Sequence, residues 1–203
     1  MRTLTVLSLC LGATLAAGAA ASPYQSPDPA AAESLSQKLD AMRERFRTRL
    51  TREQEYRMNE GEINSYMAYR LVEQIPKGIE GLWVRLTPDV LSAGGQVDLA
   101  ALKERMAGSP LTMFLSGIVP IEVRARVVAQ NGVGRVELQN VLLSGIQVPR
   151  SLLQQLVTHY SKSAAHPDGV RIEDAFELPY GIRSARFLPG EVVVRQGPLE
   201  SQP

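Results

Sequence analysis

The sequence predicts an α+β domain: a curved antiparallel sheet of about five to seven strands, two main helices, and a further amphipathic helix ahead of them. Three observations predict it. Apolar and polar residues alternate with period two over 82–86, 118–144, 182–188 and 191–196. Two stretches, 59–75 and 149–160, repeat apolar residues at helical spacing instead. Turn-forming pairs, among them Pro88-Asp89, Asn131-Gly132 and Pro189-Gly190, separate the alternating runs.

Residues 1–21 read as a secretory signal peptide. Met1-Arg2 gives a basic start, an apolar run follows from Leu4 to Leu15, and Ala19-Ala20-Ala21 is a small-residue exit. The run is too short to span comfortably the roughly 30 Å hydrocarbon core of a membrane. Cys10, the chain's one cysteine, would leave with that segment, so the expected product has no disulfide and no thiolate. Such a product is periplasmic or secreted. It keeps roughly 180 residues, enough for one domain with a substantial core.

Pro23, Pro27 and Pro29 with three alanines make 22–32 a flexible tether. Residues 33–50 form the N-terminal helix, with Leu35, Leu39, Met42 and Phe46 on one stripe. Arg43, Arg45, Arg47, Arg49 and Arg52 make it basic, so it offers either a solvated face or a contact with an anionic membrane or an envelope protein. A single domain covers 51–197, and 198–203 is a tail.

Gln54 to Met58 is extended. Asn59 and Glu62 then form the two halves of a capping box opening a helix that must stop near Ile75-Pro76. Ile63, Met67, Leu71 and Ile75, widened by Tyr66, Tyr69 and Val72, give that helix an apolar stripe too broad for cover on one side. Strands over 82–87 and 90–99 follow, then two turns of helix over 99–106. The hairpin over 118–144 sets Val119, Ile121, Val123, Ala125 and Val127 on one face against Glu122, Arg124 and Arg126 on the other. Asn131 to Gly134 supplies residues that tolerate positive φ at its turn. Pro149 opens a second helix with Leu152, Leu153, Leu156, Val157 and Tyr160 as its buried stripe. A polar loop over 161–169 and two strands, 182–188 and 191–196, complete the domain.

The residue inventory argues against catalysis. His159 and His166 are the only histidines and share no helical face, so no metal site or cofactor is expected. There is no HExxH, no phosphate loop and no GxSxG elbow. Nucleic acid is an unsuitable partner: basic and acidic residues number 22 and 21, and the arginines of the hairpin share their face with glutamates.

Three phrases occur together: Asn59-Glu60-Gly61-Glu62-Ile63-Asn64 opening a helix, the long arginine-valine hairpin, and Gly145-Ile146-Gln147-Val148-Pro149-Arg150-Ser151-Leu152-Leu153 entering another helix. In these the chain, from about residue 54 to 196, resembles bacterial envelope proteins of the tubular lipid-binding kind. The resemblance implies a bent sheet wrapped around a long helix, and the binding of acyl chains. Surplus apolar area points the same way, since lipid sites are concave and mostly apolar. The expected function is therefore non-catalytic binding of a lipid or other amphiphile, with Ile63, Met67, Leu71, Val123, Val127, Leu152 and Leu156 lining the site. The alternative is a structural or interaction module of the cell envelope with a solid core.

Overall fold

The computed structural model describes residues 26–75, 77–88, 90–100, 117–162 and 167–198, apart from the side chains of Leu156, His159 and Tyr160. The signal segment, the first part of the tether, the helix expected over 99–106 beyond Ala100, and the tail beyond Pro198 lie outside those residues.

Mixed helix and strand is the architecture, with nine described antiparallel strands in a sheet curled into a half-barrel. The strands are β1 (Gln54–Asn59), β2 (Ile79–Leu86), β3 (Leu91–Asp98), β4 (Ile118–Gln130), β5 (Val133–Leu143), β6 (Ile146–Gln147), β7 (Phe176–Glu177), β8 (Ile182–Leu188) and β9 (Glu191–Gln196). They run in the order β1-β9-β8-β4-β3-β2, with β5 on the other edge of β4 and the dipeptides β6 and β7 on β5. The count exceeds the five to seven expected by the two dipeptides β6 and β7. The described helices are α1 (Pro29–Arg47), α2 (Glu60–Arg70) and α3 (Arg150–Ser161).

β4 is the spine. One of its edges pairs with β5; the other pairs with β3 up to Ala125 and touches β8 at Ala129. Asn131 (φ 53°) and Gly132 (φ 78°) turn β4 into β5 in two residues, as a right-twisted hairpin requires. Simple alternation fails once on β5. Asn140 pairs with Arg124 and Leu138 with Ala125, so Gln139 is an extra, bulged residue. The bulge resets the period, placing Val141 and Leu143 on the same face as Val136 and Leu138.

α1 starts four residues before its expected first turn. Asp28 accepts from the Ala30 N–H as N-cap, and Pro29 takes the first helical position, where its missing N–H costs nothing. Residues 29–32 thus belong to the helix rather than the tether, and Ala32 is buried. Leu35 and Met42 enter the core as expected, while Phe46 is half exposed and meets Tyr180 edge-on at 6.3 Å.

The capping box of α2 is present: Asn59 accepts from the Glu62 N–H, and Glu62 accepts from the Asn59 N–H. The face that α2 buries is nevertheless polar. Glu62, Asn64 and Ser65 are buried, whereas Ile63, Met67 and Leu71 are only partly so. The reason lies in what α2 covers. Asn64 donates to the Val84 carbonyl and accepts from its N–H, and Glu60 accepts from the Leu86 N–H. These side chains satisfy the outer edge of β2, which would otherwise present unpaired backbone groups. Glu62 takes a hydrogen bond of 2.6 Å from Ser34 and one of 2.5 Å from Lys38. Its burial opposes ionisation, but Lys38, Ser34 and the Asn59 N–H outweigh that and hold its pKa below the ordinary 4.5.

The core joins both ends of the chain. Leu35 and Met42 of α1 meet Met58 of β1, Leu86 of β2, and Val192 and Val194 of β9. Gln196, with no exposed surface, donates to the Met42 and Tyr180 carbonyls at 2.7 and 2.8 Å.

Candidate ligand cavity

Side chains paired across strands stand on one face. Leu86, Leu91, Ala125 and Leu138 are such a row, and Val84, Ala93, Val123 and Val141 are the next. The apolar face is therefore continuous from the core to the β4–β5 hairpin. α1 and α2 cover its first part. Over the hairpin the cover is α3 together with the strap 169–177, and here the layers do not meet. A cavity of about 1120 Å³ lies between them and opens to the surface.

Its floor is Ile121 and Val123 of β4 with Val136, Leu138 and Val141 of β5. Its roof is Leu153 and Val157 of α3, with Val170, Ile172 and Phe176 of the strap. The roof is built as a unit. The Gln154 side chain donates to the Val170 carbonyl at 3.1 Å and accepts from the Ile172 N–H at 3.0 Å, so one amide holds two backbone groups of the strap. Ser161 accepts from the Val170 N–H at 2.7 Å. Gly169, at φ 74°, passes so close that a Cβ there would sit 2.2 Å from the Thr158 carbonyl oxygen. Arg150 at the start of α3 pairs with Glu173. Phe176 can lie on β5 because Gly134 beneath it has no Cβ, which would come within 2.5 Å of the ring. Arg171, Asp174 and Glu177 stand at the rim and are exposed. The interior is thus aliphatic and the mouth carries charges of both signs.

Of the seven residues expected to line a site, Val123 lines this cavity. Val127 borders a separate cleft between β4 and β8. Ile63 packs on the core. Met67 faces a smaller pocket of about 570 Å³ beside Val72, Ile79 and Leu82. Leu71 is half-buried at the end of α2, and Leu152 is half-buried on α3, neither of them lining the large cavity. The side chain of Leu156 lies outside the described residues. The α2 positions go elsewhere because α2 closes the sealed part of the sheet. Ile121, Val136 and Val157 carried a findable signal, since the first two share the apolar strand face of Val123 and Val157 stands on the apolar stripe of α3. Val170, Ile172 and Phe176 gave none, because no period marks a strap held by side chains.

Among the described residues no group of three or more His, Cys, Asp or Glu is placed to hold a metal ion. No described helix is long and apolar enough to cross a membrane. The arginines of α1 have local partners: Arg43 pairs with Asp40 and lies over the Tyr180 ring, and Arg45 donates to the Arg52 carbonyl. Comparison with protein-family models, curated proteins and solved structures gave no match for this chain.

Proposed function

We propose that the protein binds a lipid-like or other hydrophobic ligand between the β4–β5 face and α3, without catalysing its conversion. The observation that carries this reading is the cavity itself: open, aliphatic and about 1120 Å³. Ordinary small-molecule sites run to about 300–1,000 Å³ and combine an apolar lining with a few oriented polar groups. Here the lining offers bulk and the rim offers mixed charge, which suits a chain-like guest whose polar end stays in water. The tubular likeness, with a sheet bent around a long helix, and action in the periplasm or outside the cell belong to the same reading. They rest on the sequence phrases and on the signal-like start.

The test is native mass spectrometry and solvent extraction of the purified protein, with titration of a fluorescent fatty acid. A co-purifying amphiphile, or saturable probe binding, is the expected result. Val157→Trp places a large ring in the roof and should weaken probe binding at least tenfold while circular dichroism stays unchanged. Absence of any bound amphiphile together with failure of the probe to bind would end the proposal.

A further inference from the structure

We infer that the outer face of the sheet carries an anion site, in the cleft where β3 and β8 part along β4, and that it takes a phosphate-bearing group. The last pair between β3 and β4 is Leu91 with Ala125, and β8 joins the same edge only at Ala129, opposite Ala185. Residues 126–128 have no described strand beside them there, and a cleft of about 460 Å³ opens at the gap.

Strand alternation divides its lining: Val127, Ala129, Ala185 and Phe187 lie on the core side, and the arginines lie on the outer side. Ala125, Ala129, Ala185 and Val194 face the core, so their neighbours Arg126, Arg186 and Arg195 face outward. All three arginines line the cleft, Ser184 and Gln130 add neutral hydrogen-bonding groups, and no carboxylate stands among the described lining residues. Arg126 and Arg186 make no ion pair with a described residue, while Arg195 reaches Glu55 at 3.7 Å. By register the acids nearest to them are Glu137, opposite Arg126, and Glu55, opposite Arg195. Among the described residues the cleft therefore gathers more positive than negative charge.

Part of its floor is apolar. Val193 is on the outward side yet only 2% exposed, and its cross-strand neighbours are Arg57 and Arg186. The aliphatic stems of such arginines cover an apolar strip while their charged ends remain in water. Held that way, the ends are preset for a doubly charged oxyanion, since a guanidinium fork matches phosphate oxygens two at a time. A single carboxylate would leave most of the positive charge unanswered. The phosphate can belong to a soluble compound or to the headgroup of an anionic phospholipid.

The purified protein is titrated with inorganic pyrophosphate by calorimetry at low salt. In parallel it is sedimented with vesicles of phosphatidylglycerol and phosphatidylcholine, and with vesicles of phosphatidylcholine alone. Binding in at least one arm is expected, weakening as salt is raised and falling at least tenfold in the double variant Arg126→Gln, Arg186→Gln. Both positions are exposed, so the variant should keep its circular dichroism and its binding of the fluorescent fatty acid. Pyrophosphate binding without preference for anionic vesicles identifies a soluble phosphate; selective sedimentation with anionic vesicles identifies a headgroup. Binding in neither arm, or binding that survives in the double variant, overturns the inference, and neither result bears on the cavity.

Discussion

One face of one sheet is finished in two different ways. Beside β1, β9 and β2 it lies under α1 and α2, and Leu35, Met42, Leu86 and Val194 are all but fully buried. Over the β4–β5 hairpin the strands carry the same kinds of residues, yet Ile121, Val123, Val136 and Leu138 are only half-buried and face an open cavity. Hydrophobicity does not distinguish the two regions; attachment of the cover does. α1 is tied to the sheet at several points: Gln196 holds the Met42 carbonyl, and Lys38 bonds both Glu62 and the Arg57 carbonyl. The polar bonds of α3 go to the strap instead, through Gln154 and Ser161. A helix anchored to its strands is drawn into contact with them, whereas one anchored to a neighbouring loop spans the gap.

Substitutions of similar size should separate the two regions. The largest effect is expected in the sealed part. Met42→Ala removes a side chain only 1% exposed and should cost about 2–5 kcal/mol, read as a lowered urea midpoint. Next comes the roof. Gly169→Ala forces a Cβ against the Thr158 carbonyl at positive φ and should cost about 1–3 kcal/mol, with faster hydrogen exchange over α3 and the strap than over α1. The Glu62 cluster should appear as an acid limb. Glu62 ionises more readily folded than unfolded, so its ion pair adds stability above pH 4.5, and that share is lost as the pH falls through its lowered folded value. Glu62→Gln should therefore flatten the fall in melting temperature as the pH drops below 4.5. The smallest effect on stability belongs to the cavity wall. Val157→Ala enlarges a space that is already open and should cost under about 1 kcal/mol, while weakening the fatty-acid probe. A cost equal to that of Met42→Ala would show that the two covers are equally tight.

Much of this contrast was legible in the sequence, and its missing part has a physical cause. Alternation located β4, β5, β8 and β9, and the Asn59–Glu62 spacing located the start of α2, because each pattern is local. Position along the sheet is not local. Ile63 and Met67 looked like wall residues because their stripe was broad, but nothing near them says that Asn64 and Glu60 bond the edge of β2, twenty or more residues ahead. The bulge at Gln139 was hidden because a bulge appears only when two strands are aligned. Beyond Gly169 the strap carries no local signal because its backbone partners are the side chains of Gln154 and Ser161, which no periodicity records. Val123 was legible as an inward residue and Phe176 was not, for the same reason: one lies on a periodic strand and the other in a two-residue strand.

β1 is hydrogen-bonded to β9 along its whole length, residues 54–59 against 191–196, and the Gln196 amide reaches back to Met42. The first described helix and the last described strand thus share a single interior. Leu35 and Met42 gain Met58 and Leu86 early, but Val192 and Val194 complete their cover only when β9 arrives. Such long-range closure is slow compared with local pairing. The sealed core is therefore the late-closing part of the fold, and the β4–β5 hairpin, joined by a two-residue turn, is the part that can pair first.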